Sequence, residues 1–426
     1  MDLRLRFNRR ALLVLHAALC MTCISVYGQD DPNHDDCNGC TSEMATKAIQ
    51  FKGAASGGEL ILANTLNRNA KYVSIDTNPG ESGESVASRL AAAIVEAWSK
   101  KNMRFAVRSN GDLLEGLPLD HFLLAGTEQG FGIPRPPLSL TCVYDKENDQ
   151  VILRWENPPN GYHHIAIILN WSNYDHRGGF GLPGTATSFV IDLKTHPVNV
   201  KDLDVWLIGY RNHIPSNAAA IHLSGNSQEE LFGIPFTDGV APNWTGWSAA
   251  AATERTRSHQ LLRANYVHVK GNRFNPIRKA STKPFYQVVK PTSGSRKAGV
   301  SRKFLGLTPG HTYRISARLN TLEMDDCKSD WSFSLHAAHN GQGGSDLTVD
   351  QLSGGLAALP DGNTGPTAGQ MASYGPGVTT NGKWIKRSMD ITLPAGVDTI
   401  TVWVRHSGSD STGVGIDWIK LEDLSM

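Results

Sequence analysis

Thr312-Tyr-Arg-Ile-Ser-Ala-Arg-Leu319 alternates without a break. Tyr313, Ile315, Ala317 and Leu319 fall on one side of an extended chain and Thr312, Arg314, Ser316 and Arg318 on the other, the period of a strand with one buried face. Thr308-Pro-Gly310 just before it reads as a turn. Later segments repeat the pattern: Trp331, Phe333 and Leu335 share a face, as do Ile400, Val402 and Val404, and then Asp417, Ile419 and Leu421. A C-terminal region, 237–426, is therefore expected to be a two-layered sandwich of half-buried strands.

Upstream, the same short-strand reading covers 135–225. Leu138–Val143, Val151–Trp155, Ile165–Leu169, Ser188–Ile191, Val205–Ile208 and Ala219–Leu223 are apolar runs separated by turn residues, the spacing of a second β-sandwich. Arg135-Pro136-Pro137 marks its start, because consecutive prolines join neither a helix nor a central strand. Residues 226–236 are expected to be a linker. Residues 46–134 mix periods and predict a small α+β unit. Ile49–Phe51, Leu60–Leu62, Tyr72–Ile75, Phe105–Val107 and His121–Leu124 read as strands. Val86, Leu90, Ala93, Ile94, Ala97 and Trp98 recur at helical spacing behind a Ser82 or Ser85 cap. The fold class is mainly β and multidomain.

At the N-terminus Arg4, Arg6, Arg9 and Arg10 precede an apolar run from Ala11 to Val26, so 1–28 read as a secretory signal peptide. Export would place the chain outside the cell, at the cell surface or in the periplasm. An acidic leader, 29–45, holds Cys37 and Cys40; with Cys142 and Cys327 the mature chain keeps four cysteines, which allow three pairings. Past the N-terminus no apolar stretch reaches transmembrane length.

The chain has 426 residues, 40% of them hydrophobic, which excludes a disordered chain, and its 41 Lys+Arg against 40 Asp+Glu exclude a globally basic nucleic-acid binder. Locally the balance breaks. Between Thr253 and Lys303 lie thirteen lysines and arginines, ending in Arg302 and Lys303, against the single acid Glu254. Such a run favours an anionic partner. No motif for a reaction is present. Glu323, Asp325, Asp326 and Asp330 cluster in a loop rather than as a spaced catalytic pair, and His336-x-x-His339 has no third partner at metal spacing.

Two resemblances follow from these residues. Around Trp155-Glu-Asn-Pro-Pro159 the middle region resembles a fibronectin type III domain, with Val205 where that family has the tyrosine of its F strand. Leu307-Thr-Pro-Gly-His-Thr-Tyr313, Trp384 ahead of Met389–Leu393, Ile400–Val404 and Gly415–Leu421 resemble a galactose-binding-like jelly-roll carbohydrate-binding module. That resemblance implies a polysaccharide or anionic cell-surface glycan as partner, and a structural calcium held with the help of Asp417.

Sugar rings present apolar C–H faces, so flat exposed indoles beside polar groups are the residues to find. Strand register puts Trp403 and Arg405 opposite Val402 and Val404, and Trp418 opposite Ile419. These three, with Arg314 and Arg318, are the expected ligand contacts, Trp403 first among them. Trp331 and Trp384 fall in apolar register and are expected in the core. The long Gly341–Gly382 stretch is expected to be a functional loop. The alternatives are a polysaccharide hydrolase and a structural or adhesion protein of the envelope that meets other envelope proteins.

Overall fold

The computed structural model describes residues 48–64, 72–99, 107–117, 122–126, 128, 130–172, 176–230, 242–248, 259–263, 285–289, 297–322, 332–341, 345–359, 367–375, 377–380, 383–407 and 413–426. The signal peptide, Cys37, Cys40, Cys327, Trp331, the 323–330 acidic cluster and most of the basic run lie outside these residues. The described chain is mainly β.

The N-terminal unit comprises β1 (Ala48–Gln50), β2 (Gly58–Asn64), β3 (Tyr72–Thr77), α1 (Gly83–Ser99), β4 (Arg108–Asn110), β5 (Leu113–Glu115) and β6 (Phe122–Gly126). Val86, Leu90 and Ile94 recur on one face of α1 and pack with Leu60, Leu62, Phe122 and Leu124 from a three-stranded sheet, β3-β2-β6. The first turn of α1 is closed by the Ser82 hydroxyl, which accepts the Ser85 amide at 3.3 Å. Of the expected Phe105–Val107 strand only Val107 lies within the described residues, and it precedes the strand Arg108–Asn110.

The middle unit comprises β7 (Leu138–Asp145), β8 (Gln150–Glu156), β9 (His164–Trp171), β10 (His176–Pro183), β11 (Ser188–Asp192), β12 (Leu203–Arg211), β13 (Ile214–Pro215), β14 (Ala219–Ser224) and β15 (Ser227–Glu230). Sheet β11-β8-β7 packs on β10-β9-β12-β14 around Trp155, Ile167, Val205 and Ile221. Its outer face is not left to solvent. Ile168, Trp206, Ile208 and Ala220 are covered by Ile61, Ala63, Leu123 and Ala125 from the N-terminal sheet.

The C-terminal unit comprises β16 (Thr245–Ser248), β17 (His259–Arg263), β18 (Phe285–Val289), β19 (Ala298–Phe304), β20 (Thr312–Leu322), β21 (Ser332–His339), α2 (Val349–Gly354), β22 (Ala368–Tyr374), β23 (Ile385–Thr392), β24 (Ile400–Ser407) and β25 (Gly413–Asp423). One layer is β16-β19-β24-β21-β22; the other holds β17-β18-β25, with β20 between β25 and β23. Tyr313, Ile315, Ala317 and Leu319 of β20 are buried between the layers with Val402, Val404, Ile419 and Leu421.

The expected linker is partly a strand. β15 pairs with β14 on one side and with β25 on the other, Gln228 opposite both Leu223 and Leu421, so the two sandwiches share one eleven-stranded sheet. A buried ion pair closes the same junction: Arg302 of β19 meets Glu230 of β15 and donates to the Leu140 carbonyl at 2.9 Å, while Trp244 Nε1 donates to Glu230 at 3.2 Å. Lys303 bonds Glu156 of the middle unit and Asp346. The two basic residues at the end of the cationic run are thus used between units, not offered to an anionic partner.

Candidate functional site

β23, β20 and β25 turn a second face outward. On it Arg314 sits opposite Asp390 and Glu422, Ser316 opposite Ser388 and Lys420, and Arg318 opposite Lys386 and Trp418. Arg314 binds Asp390 through two 2.8 Å bonds, and these bonds hold the Asp390 carboxyl below its ordinary range and Arg314 above its own.

The next step along the strands is a bulge. Arg318 pairs with Trp418, yet Leu319 pairs with Ile416, leaving Asp417 as the extra residue of β25. A bulge re-aims a side chain, and here Asp417 is fully buried with its carboxylate on Arg318 Nη1. A guanidinium stands where a cation would. Among the described residues no group of three His, Cys, Asp or Glu side chains comes together, and the Asp417 carboxylate is engaged by Arg318.

Trp384, expected in the core, is half-buried instead. It precedes β23, and the Arg318 guanidinium lies over its ring at 5.5 Å. Trp418 is half-buried on the same face. Arg314, Arg318 and Trp418 are therefore brought together from the expected set, with Trp384 added. The missed signal is its position one residue outside the strand: Ile385 takes the inward place beside Leu319, and Trp384 turns to the Arg318 side.

Trp403 is corrected. It does lie opposite Val402 and Val404, but that face of the other layer carries a second core. The Gly341–Gly382 stretch supplies α2 and β22, and Trp403 is fully buried with Trp247, Leu352, Leu359 and Ala368. Its Nε1 donates to the Leu352 carbonyl at 3.1 Å, and His336 stacks on it at 5.1 Å. A sealed indole meets no sugar. Arg405, one pleat along β24, emerges from under this cover half-buried.

No family model and no curated protein matches the chain. Among solved structures, a CBM61 module in complex with β-1,4-galactotriose is similar over 42% of this chain and 88% of its own, at 12% identity and a TM-score of 0.26. The CBM22-1 xylan-binding domain from Paenibacillus barcinonensis Xyn10C covers 43% of this chain and 94% of its own, at 11% and 0.23. An FN3 domain of human collagen XX covers 21% and 92%, at 14% and 0.19. At TM-scores this low they stand as resemblances.

Proposed function

We propose that the chain is an exported carbohydrate-binding protein that holds a neutral stretch of polysaccharide against the outer face of β23, β20 and β25 without cleaving it. The observation that carries this reading is the pair of partly exposed indoles, Trp384 and Trp418, flanking Arg318 on one sheet face. Indoles offer an apolar plane to sugar C–H groups, and the arginine and serine donors between them offer partners to hydroxyls. The charges of Arg314 and Arg318 are each met by a carboxylate, so these two arginines are left to a ligand as hydrogen-bond donors rather than as free charges. The same pairing engages Asp390 and Asp417, so neither is placed as a general acid. Export rests on the arginine-led apolar N-terminus.

Covering about 60 Å² of each indole at about 25 cal/mol/Å² is worth about 1.5 kcal/mol, roughly tenfold in affinity. A panel of neutral and acidic polysaccharides should retain the full-length protein on at least one neutral member, and Trp384→Ala and Trp418→Ala should each weaken that retention by about tenfold. Retention unchanged in both variants would remove this face from the account, and release of reducing sugar from the retained polymer would favour the hydrolase.

A further inference from the structure

Four basic side chains of the C-terminal sandwich are met by carboxylates. Arg302 meets Glu230, Lys303 meets Glu156, Arg314 meets Asp390 and Arg318 meets Asp417. Arg405 forms no ion pair among the described residues, and its Nε is buried with no hydrogen-bond partner.

Its cross-strand partners are small. Cross-strand, Arg405 lies between Gly299 of β19 and Ser334 of β21. His336, next along β21 and 2% exposed, bonds the Ser334 hydroxyl through Nε2 at 2.6 Å and leaves Nδ1 buried without a partner. Gly355 borders both: a Cβ there would stand 3.3 Å from Arg405 Nη1 and 3.6 Å from His336 Nε2. The guanidinium Nε and the imidazole Nδ1 are thus both buried without a hydrogen-bond partner. An unsatisfied buried donor costs about 1–3 kcal/mol, so such a pair calls for an occupant.

We propose that Arg405, His336 and Ser334 form a binding site for a single oxyanion group, a carboxylate or sulfate, on the layer opposite the indole face. The planar guanidinium takes two oxygens of such a group. The neutral imidazole, bonded to Ser334 through Nε2, adds no charge of its own beside the guanidinium and holds the Ser334 hydroxyl in place. Burial and the Arg405 charge push His336 down to about 4, and burial alone lowers Arg405, the pattern of a cation with no counter-charge in place. This inference does not rest on the indole face: neither Trp384 nor Trp418 belongs to the site.

Calorimetric titration of the full-length protein with sodium sulfate, and separately with an oligogalacturonate, at constant ionic strength, tests it. At least one of the two should bind, and Arg405→Gln should weaken it by about tenfold or more, with Arg405→Lys intermediate. Ser334→Asp, which sets a carboxylate of the protein's own opposite Arg405, should abolish the same binding while raising the melting temperature. Trp418→Ala should leave it unchanged. Binding of sulfate identifies a free oxyanion as sufficient, and binding of the oligogalacturonate alone identifies a glycan carboxylate as the source. The proposal is overturned if neither probe binds the wild type, or if Arg405→Gln and Ser334→Asp both bind as tightly as the wild type.

Discussion

Arg302 and Glu230 show how much one residue pair can decide. Both side chains are 1% exposed, and each joins a different unit. Burial outweighs the neighbouring guanidinium and raises Glu230 to about 7, against 4.5 for the ordinary group. Its contribution to stability is therefore full below about pH 4.5 and is lost as pH rises through about 7. Relative to Glu230→Gln, which does not titrate, the wild type should lose up to about 3 kcal/mol across that window in denaturant melts. Arg302→Met should be destabilising, because Glu230 must then take up a proton to stay buried and the Leu140 carbonyl loses its donor, and adding Glu230→Gln should restore part of it. A flat pH profile of the difference, or a neutral Arg302→Met, would contradict this role. Neither partner's place was legible in sequence: Arg302 reads as one cation in a run of thirteen. The tryptophans divide in the same way. Alternation correctly set Trp403 and Trp418 opposite the main core, because pleat geometry is local, but whether an outward face meets water depends on what packs there. That is a long-range fact.

At the level of elements, strands with strong alternation were readable and polar or glycine-rich ones were not. β20 and β24 announce themselves, whereas β10, with Gly178, Gly179 and Gly181, and β15, Ser227-Gln-Glu-Glu230, carry no apolar period. β15 forms because its neighbours β14 and β25 supply ladders on both sides. Gly299 has a comparable hidden role: a Cβ there would come 1.7 Å from the Val404 carbonyl and 2.7 Å from Trp247, so only glycine lets β19, β24 and the indole stack this closely. The shared strand has a measurable consequence. A polar row, Asn170, Asp204, His222, Glu229 and Lys420, runs register by register from the middle sandwich into the C-terminal one. Scanning calorimetry should therefore show the two sandwiches unfolding in a single transition, and Gln228→Pro, which removes an amide from β15 between its two neighbours, should split it. Two separate transitions in the wild type would mean the junction is weak.

The three described units are joined in series. The N-terminal sheet is seated on the middle sandwich through Trp206 and Ile208, and the middle sandwich is joined to the C-terminal one through β15 and the Arg302–Glu230 pair. Of the large aromatic side chains, Trp155, Trp206, Trp244 and Trp403 are spent on packing, leaving Trp384 and Trp418 at the surface of the C-terminal unit. The account stands on those two being where ligand meets protein. Fluorine NMR of the full-length chain labelled with 5-fluorotryptophan, its resonances assigned by single Trp→Phe variants, reads this directly during titration with the polysaccharide fragment that the protein retains. The Trp384 and Trp418 signals should move together in proportion to occupancy while those of Trp155, Trp206, Trp244 and Trp403 stay fixed. Movement confined to the buried four, or stationary signals from Trp384 and Trp418 at saturation, would contradict the central claim.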